Sequence, residues 1–248
     1  MKDINIKSST IEKGLELAKE FLGKLLGPSF EEVGLLVSEN IKYFRFKNQI
    51  RILNKAQKYI ESRNISTKQI PVKILVPLLE NASLEENENL QDKWANMISN
   101  MADSESNLQN HVFPYILGQI SIEEFTGLEK LHENEKHHFI LFQRINNRKK
   151  SGELLNLEDN KIKNELENNE EEGFYVSLEE YELANLIRLG LIKKLPPKIY
   201  IEEFKTGGSG FGSTENWHKI KAKYEPHSSY HRITELGNQF IQLCSKTK

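Results

Sequence analysis

The chain has 248 residues, 38% hydrophobic and 28% charged, enough apolar material for one large core or two modest ones beneath a heavily charged surface. Its net charge of −2 hides an uneven layout: residues 1–63 hold 12 Lys/Arg against 8 Asp/Glu, residues 64–173 hold 11 against 20, and residues 174–248 hold 11 against 8. That pattern argues against a nucleic-acid binder over the whole length and leaves the two ends as candidates; the single Cys244 rules out an intrachain disulfide and a four-cysteine zinc site. There is no apolar leader with a small-residue cleavage site, and no run approaches the ~20 apolar residues of a membrane-spanning helix, so the expected address is the cytosol.

Ser9 and Glu12 have the spacing of a capping box, and Ile11, Leu15, Ala18, Leu22 and Leu25 then step by threes and fours as one helical stripe. Gly27-Pro28-Ser29 ends this helix. Its mixed charges favour packing on a neighbour over lying on a membrane surface, although both remain open. From Phe30 to about Arg63 the pattern predicts one long helix. Between Asn40 and Ile60 it contains no acidic residue, and Lys47, Arg51, Lys55 and Lys58 fall on one face. Such a stripe could meet phosphates of nucleic acid or lipid; the plainer alternative is pairing with the acidic middle of the same chain.

Pro71 starts a short helix over residues 72–80, which Pro77 is expected to kink or break. Ser83 with Glu86 has capping-box spacing, and Leu90, Trp94, Met97, Ile98 and Met101 follow as a buried stripe. Glu88, Gln91, Asp92, Lys93 and Asn96 are expected to form the wet side of that helix. The run VPLLENASLEE…LQDKWANM, preceded by FRFKNQIRILNKAQ, resembles the Abi-alpha family of bacterial abortive-infection proteins, with a match over roughly residues 25–245. The resemblance implies a role in phage defence and brings no catalytic motif with it. Trp94 is then the expected structural anchor.

Val112, Ile116 and Ile120 predict a short buried helix. Ser121 with Glu124 repeats the capping box ahead of Phe125, Leu128 and Leu131, and Phe139-Ile140-Leu141-Phe142 is too short to classify by period. Residues 146–173 turn to Asn, Glu and Lys and read as a solvated connector. Beyond it, Ser177 and Glu180 are expected to cap a helix that ends at Gly190. Leu191-Ile192, a KKLPPKIYIEEF strand pattern, a GGSGFGS turn, a returning strand through His218, Ile220, Ala222 and Tyr224, and a closing helix through Leu236, Phe240 and Leu243 follow. This order resembles a winged-helix domain. The expected fold class is therefore mainly α: an N-terminal helical domain over 1–145, a charged connector over 146–173, and a small α+β winged-helix-like domain over 174–248.

No constellation in the sequence names a reaction. The glycine run lacks the following helix and the GK[ST] signature of a phosphate cradle, so it reads as a hairpin tip. His132, His137 and His138 cluster, as do His227 and His231 near Cys244, but zinc needs three or four ligands converging in a fixed geometry. Pro226 and Ser228-Ser229 disfavour the helix that would align 227 with 231, so these histidines read as surface or core residues. Cys244 sits at helical spacing beside Phe240 and Leu243 and reads as buried. The expectation is a non-enzymatic phage-defence protein, with no cofactor or metal, acting through contacts with a protein partner, with itself, or with a membrane surface. The alternative is a nucleic-acid-binding regulator whose contacts would be Arg188, Lys193, Lys194, Lys219, Lys221 and Lys223, a set diluted by Glu179, Glu180, Glu202 and Glu203.

Overall fold

The computed structural model describes residues 9–27, 43–104, 109–152, 159–164, 173–195, 198–206, 217–225 and 230–245. In chain order they form helices α1 (Ser9–Leu26), α2 (Tyr43–Ser62), α3 (Val72–Ala82), α4 (Glu88–Ala102), α5 (Val112–Leu117) and α6 (Ile122–Lys150), strand β1 (Phe174–Tyr175), helix α7 (Glu180–Arg188), strands β2 (Ile192–Lys194), β3 (Lys198–Thr206), β4 (Trp217–Glu225) and β5 (Tyr230–Ile233), and helix α8 (Glu235–Cys244). The chain is mainly helical, with a small antiparallel sheet of three strands and a separate two-stranded hairpin. It divides into two compact units. One holds residues Met1–Glu129, Leu178–Leu191 and Glu235–Lys248; the other holds Lys130–Ser177 and Ile192–Thr234.

The first unit is a helical assembly around α4. Leu90, Trp94, Met97, Ile98 and Met101 are buried as their spacing requires. The far side of the helix differs from expectation: Gln91 and Asn96 are buried too, together with Ser99 and Asn100. Most of these polar atoms find partners inside the fold, the buried Gln91 Oε1 excepted. Gln91 Nε2 donates to the Glu85 carbonyl at 2.9 Å, Ser99 Oγ donates to the Asn96 carbonyl at 2.9 Å, and Asn96 Oδ1 accepts from Arg63.

The start of α4 is also shifted. Its N-cap is Asn87, whose Oδ1 accepts from Asn89 N at 2.9 Å and Leu90 N at 3.2 Å. Ser83 instead serves the end of α3, donating from Oγ to the Glu80 carbonyl at 2.6 Å. An asparagine caps as well as a serine, and Asn87 stands directly before the helical stripe. α3 itself continues through Pro77 rather than breaking there. The Ser121–Glu124 box forms in both directions, Ser121 N to Glu124 Oε2 at 2.8 Å and Glu124 N to Ser121 Oγ at 3.0 Å. The apolar side of α1 is taken up within this unit, with Ala18, Phe21, Leu22, Leu25 and Leu26 buried. The side chains of Ser9, Ile11 and Glu12, and the predicted helix from Phe30 to Lys42, lie outside the described residues.

α7 begins two residues later than a cap at Ser177 would place it. Glu179 is the N-cap, and Glu182 reaches back to accept from Glu179 N at 2.8 Å. It closes on Gly190 at φ 73°, with Gly190 N donating to Ile187 O at 2.9 Å and Leu191 N to Leu186 O at 3.0 Å. These paired bonds satisfy the last carbonyls and need a left-handed residue, which glycine adopts without strain. α8 lays Phe240, Ile241, Leu243 and Cys244 into the core of the first unit.

In the second unit β5 is the centre strand, pairing antiparallel with β1 (Phe174↔His231) and with β2 (Ile192↔Ile233). β3 and β4 pair in register from Lys198↔Glu225 to Thr206↔Trp217, as alternation predicts; the glycine turn between them lies outside the described residues. α6 incorporates Phe139–Phe142 and runs on to Lys150, so the residues from Asn146 to Lys150 are helical. Arg148 Nη1 bonds both oxygens of the buried Asp159, at 2.8 and 2.6 Å, and Glu135 Oε1 accepts from Ile233 N at 2.8 Å.

Candidate functional site

An extended polar construction lies between α2 and α4. Each helix presents a ladder at four-residue spacing, Arg51, Lys55, Tyr59 and Arg63 on one and Glu88, Asp92, Asn96 and Asn100 on the other. Arg51 meets Glu88 at 3.4 Å and Lys55 meets Asp92 at 2.7 Å. Tyr59 donates its hydroxyl to Asp92 Oδ1 at 3.0 Å, and Arg63 donates to Asn96 Oδ1 at 2.8 Å and Asn100 Oδ1 at 3.4 Å. The pairs advance in the same direction on both helices, so α2 and α4 run parallel. Arg63 also lies over the Tyr59 ring, 5.1 Å from its centroid. Burial, reinforced by the bond to Asp92, pushes the Tyr59 hydroxyl pKa up, and burial draws the Arg63 pKa down.

The ladder ends on α8. Asn100 Nδ2 donates to the carbonyls of Leu243 at 2.7 Å and Ser245 at 3.0 Å, two of the acceptors that a helix C-terminus leaves without intrahelical partners. Beside it, Lys93 pairs with Glu129 and sits 4.5 Å from the centroid of Phe125, whose ring packs 5.9 Å from that of Phe240. Cys244 is fully buried there, and desolvation pushes its thiol pKa well up, so it is held as the protonated, unreactive form. Trp94 is 0% exposed, with no hydrogen-bond partner for its indole N–H, and packs as an apolar block.

Of the predicted basic stripe, Arg51 and Lys55 are bonded into the ladder, whereas Lys47 and Lys58 are exposed. Arg188 is exposed on α7, bonded to Asn185 Oδ1 at 2.7 Å and Gln119 Oε1 at 3.0 Å. Lys193 and Lys194 are exposed on β2; Lys219, Lys221 and Lys223 occupy alternate positions of β4, opposite Phe204, Glu202 and Tyr200. The predicted set therefore spans separate elements. In the polar half of the ladder, Tyr59, Arg63 and Asn100 carry no expectation from the sequence, and Asn96, expected on the wet side, is buried. The ladder's signal was available as two i, i+4 series, one reading Arg-Lys-Tyr-Arg and the other Glu-Asp-Asn-Asn.

Chemically, this is a set of donors and acceptors that satisfy one another. No group of three or more His, Cys, Asp or Glu side chains among the described residues could hold a metal ion. Among the same residues no helix is long and apolar enough to cross a membrane. No curated protein and no solved structure matches the chain. The family model described as abortive infection alpha matches residues 39–244, from just ahead of α2 to the last residue of α8, and the chain belongs to that family.

Proposed function

We propose that this is a phage-defence protein that acts by binding, to a protein or a membrane, and not by turning over a substrate. The family supplies the role, abortive infection. The observation that carries the mechanism is the α2–α4 ladder: within the family match, charged and amide side chains are spent on each other and on the end of α8. A catalytic constellation aims its groups at an absent substrate, whereas a scaffold closes them on itself. In the same reading the order α7, β2, β3–β4 hairpin, β5, α8 makes the C-terminal part winged-helix-like, and the protein is cytoplasmic with access to the membrane surface.

The test is defence in infected cells. Bacteria expressing the chain should die or arrest after phage adsorption with a reduced burst. Asp92→Asn keeps an acceptor for Tyr59 and should retain defence. Loss of defence in that variant, at an unchanged melting temperature, would point to catalysis and refute the binding mechanism.

A further inference from the structure

α6 carries large apolar residues on two sides. Its inward side is built from His138, whose ring meets Phe174 edge-on at 5.7 Å, half-buried Phe142, buried Ile145, and Arg148 bonded to Asp159. These positions recur at three- and four-residue steps, as one helix face must. Phe139 and Ile140 lie off that face and are 57% and 52% exposed. Around them the exposed positions are Lys136, His137, Gln143, Arg144 and Asn147, with one exposed acid, Glu133, a turn before His137. Scattered exposed apolar residues are ordinary, but a Phe-Ile pair set into the polar face of a helix is not explained by packing.

The charge of this stretch identifies what would cover the pair. Between Glu135 and Glu153 there is no acidic residue, although the chain as a whole is acidic. Lys136, Arg144, Lys149 and Lys150 are all exposed, and Arg148 is matched to Asp159. Apolar residues rimmed by long cationic side chains are what a helix needs to lie in a lipid interface, because the ammonium and guanidinium groups reach phosphates while their stems follow the apolar residues inward. Nucleic acid would engage the cations but has no use for an exposed Ile140. A two-fold contact with a second copy, centred on Ile140, would set Lys136 of one helix against Arg144 of the other, like charge on like.

We infer that the outer face of α6 docks on an anionic lipid surface, with Phe139 and Ile140 entering the boundary between headgroups and acyl chains. This rests on the binding mechanism above and names its partner. It is tested with the full chain and vesicles of phosphatidylcholine, with and without phosphatidylglycerol. The protein should sediment with the anionic vesicles at low salt, dissociate at high salt, and leave pure phosphatidylcholine unbound. Phe139→Ser with Ile140→Ser should weaken partitioning at least about tenfold, and Lys136→Gln or Arg144→Gln about fivefold each, with unchanged melting temperatures.

Absence of sedimentation at low salt overturns the inference, as does binding that both sets of variants leave intact. So does a vesicle-free dimer that the Phe139→Ser, Ile140→Ser variant dissociates. A failure of the broader binding mechanism shows elsewhere, as loss of defence in Asp92→Asn while vesicle binding persists.

Discussion

Replacing Asn100 with alanine tests the joint between α4 and α8. Its amide is 3% exposed and donates to Leu243 O and Ser245 O, while its carbonyl oxygen takes a longer bond from Arg63. Alanine removes the donor and leaves the carbonyls in place. Leu243 is buried, so its orphaned carbonyl bears the full desolvation cost of about 1–3 kcal/mol; the half-buried Ser245 carbonyl recovers part of its loss from water. Adding the small void left by the side chain, the expected loss is about 3 kcal/mol. For a chain of this length that lowers the melting temperature by about 6–12 °C. Asn96→Ala is the control: it forfeits one partly exposed bond from Arg63 and should cost about 1 kcal/mol. Urea denaturation gives the difference, and amide exchange at the last turn of α8 localises it, which matters because two compact units need not unfold together. Equal losses for the two variants, or unaltered exchange in α8, would refute the capping argument.

Three further outcomes follow from contacts of the same kind. A double-mutant cycle on Lys55 and Asp92 should return a coupling of about 0.5–1 kcal/mol that shrinks with added salt, since both groups are partly exposed; a coupling indifferent to salt would be inconsistent with an ion pair. Glu135 has its pKa raised by burial, against the lowering effects of Ile233 N, Arg232, His132 and Lys193, so the folded state binds its proton more tightly than the unfolded chain. Its ionisation therefore costs stability as pH rises from the unfolded to the folded pKa. Glu135→Gln, which keeps an acceptor for Ile233 N, should raise the unfolding midpoint at neutral pH, with the gain vanishing below the ordinary glutamate pKa; a lower midpoint at pH 7 would contradict this. Gly127→Ala should cost about 1–3 kcal/mol in urea melts, because a Cβ there would stand 2.7 Å from Leu178 Cδ1; wild-type stability would show that Leu178 yields freely.

The helices were legible in the sequence where a period of three to four apolar residues ran long enough, as in α1 and α4, and β3–β4 where alternation flanked a glycine turn. The errors have local causes. Ser83-x-x-Glu86 and Ser177-x-x-Glu180 have capping-box spacing, but a stronger or better-placed cap, Asn87 or Glu179 with Glu182, stands between each and its helix. Spacing alone cannot rank rival caps. The buried polar face of α4 departs from expectation because hydrophobicity patterns score Gln and Asn as solvent-facing. Only tertiary partners, Arg63 from α2 and the C-terminal carbonyls of α8, reverse that assignment. Phe139–Phe142 was ambiguous for the opposite reason: four apolar residues in succession face all sides of a helix, and two of them must face outward.

The two basic stretches differ in what an anionic partner would have to displace. On α2, Arg51 and Lys55 already hold Glu88 and Asp92 of the same chain, and a tethered carboxylate competes at an effective concentration that a dilute ligand seldom matches. A phosphate arriving there must first break those pairs, which leaves Lys47 and Lys58 as the exposed charges of that series. The stretch from Lys136 to Gly152 has no acid of its own and sets its exposed cations around an exposed Phe-Ile pair. An anionic surface gains there from charge and apolar burial together, without displacing the α2–α4 carboxylates. If any part of this acidic chain attaches to lipid, the arithmetic of competing pairs therefore favours α6 over α2. Reversing Lys47 and Lys58 to glutamate should accordingly leave vesicle sedimentation near the parent value, and a loss as large as that of the α6 variants would return the contact to α2.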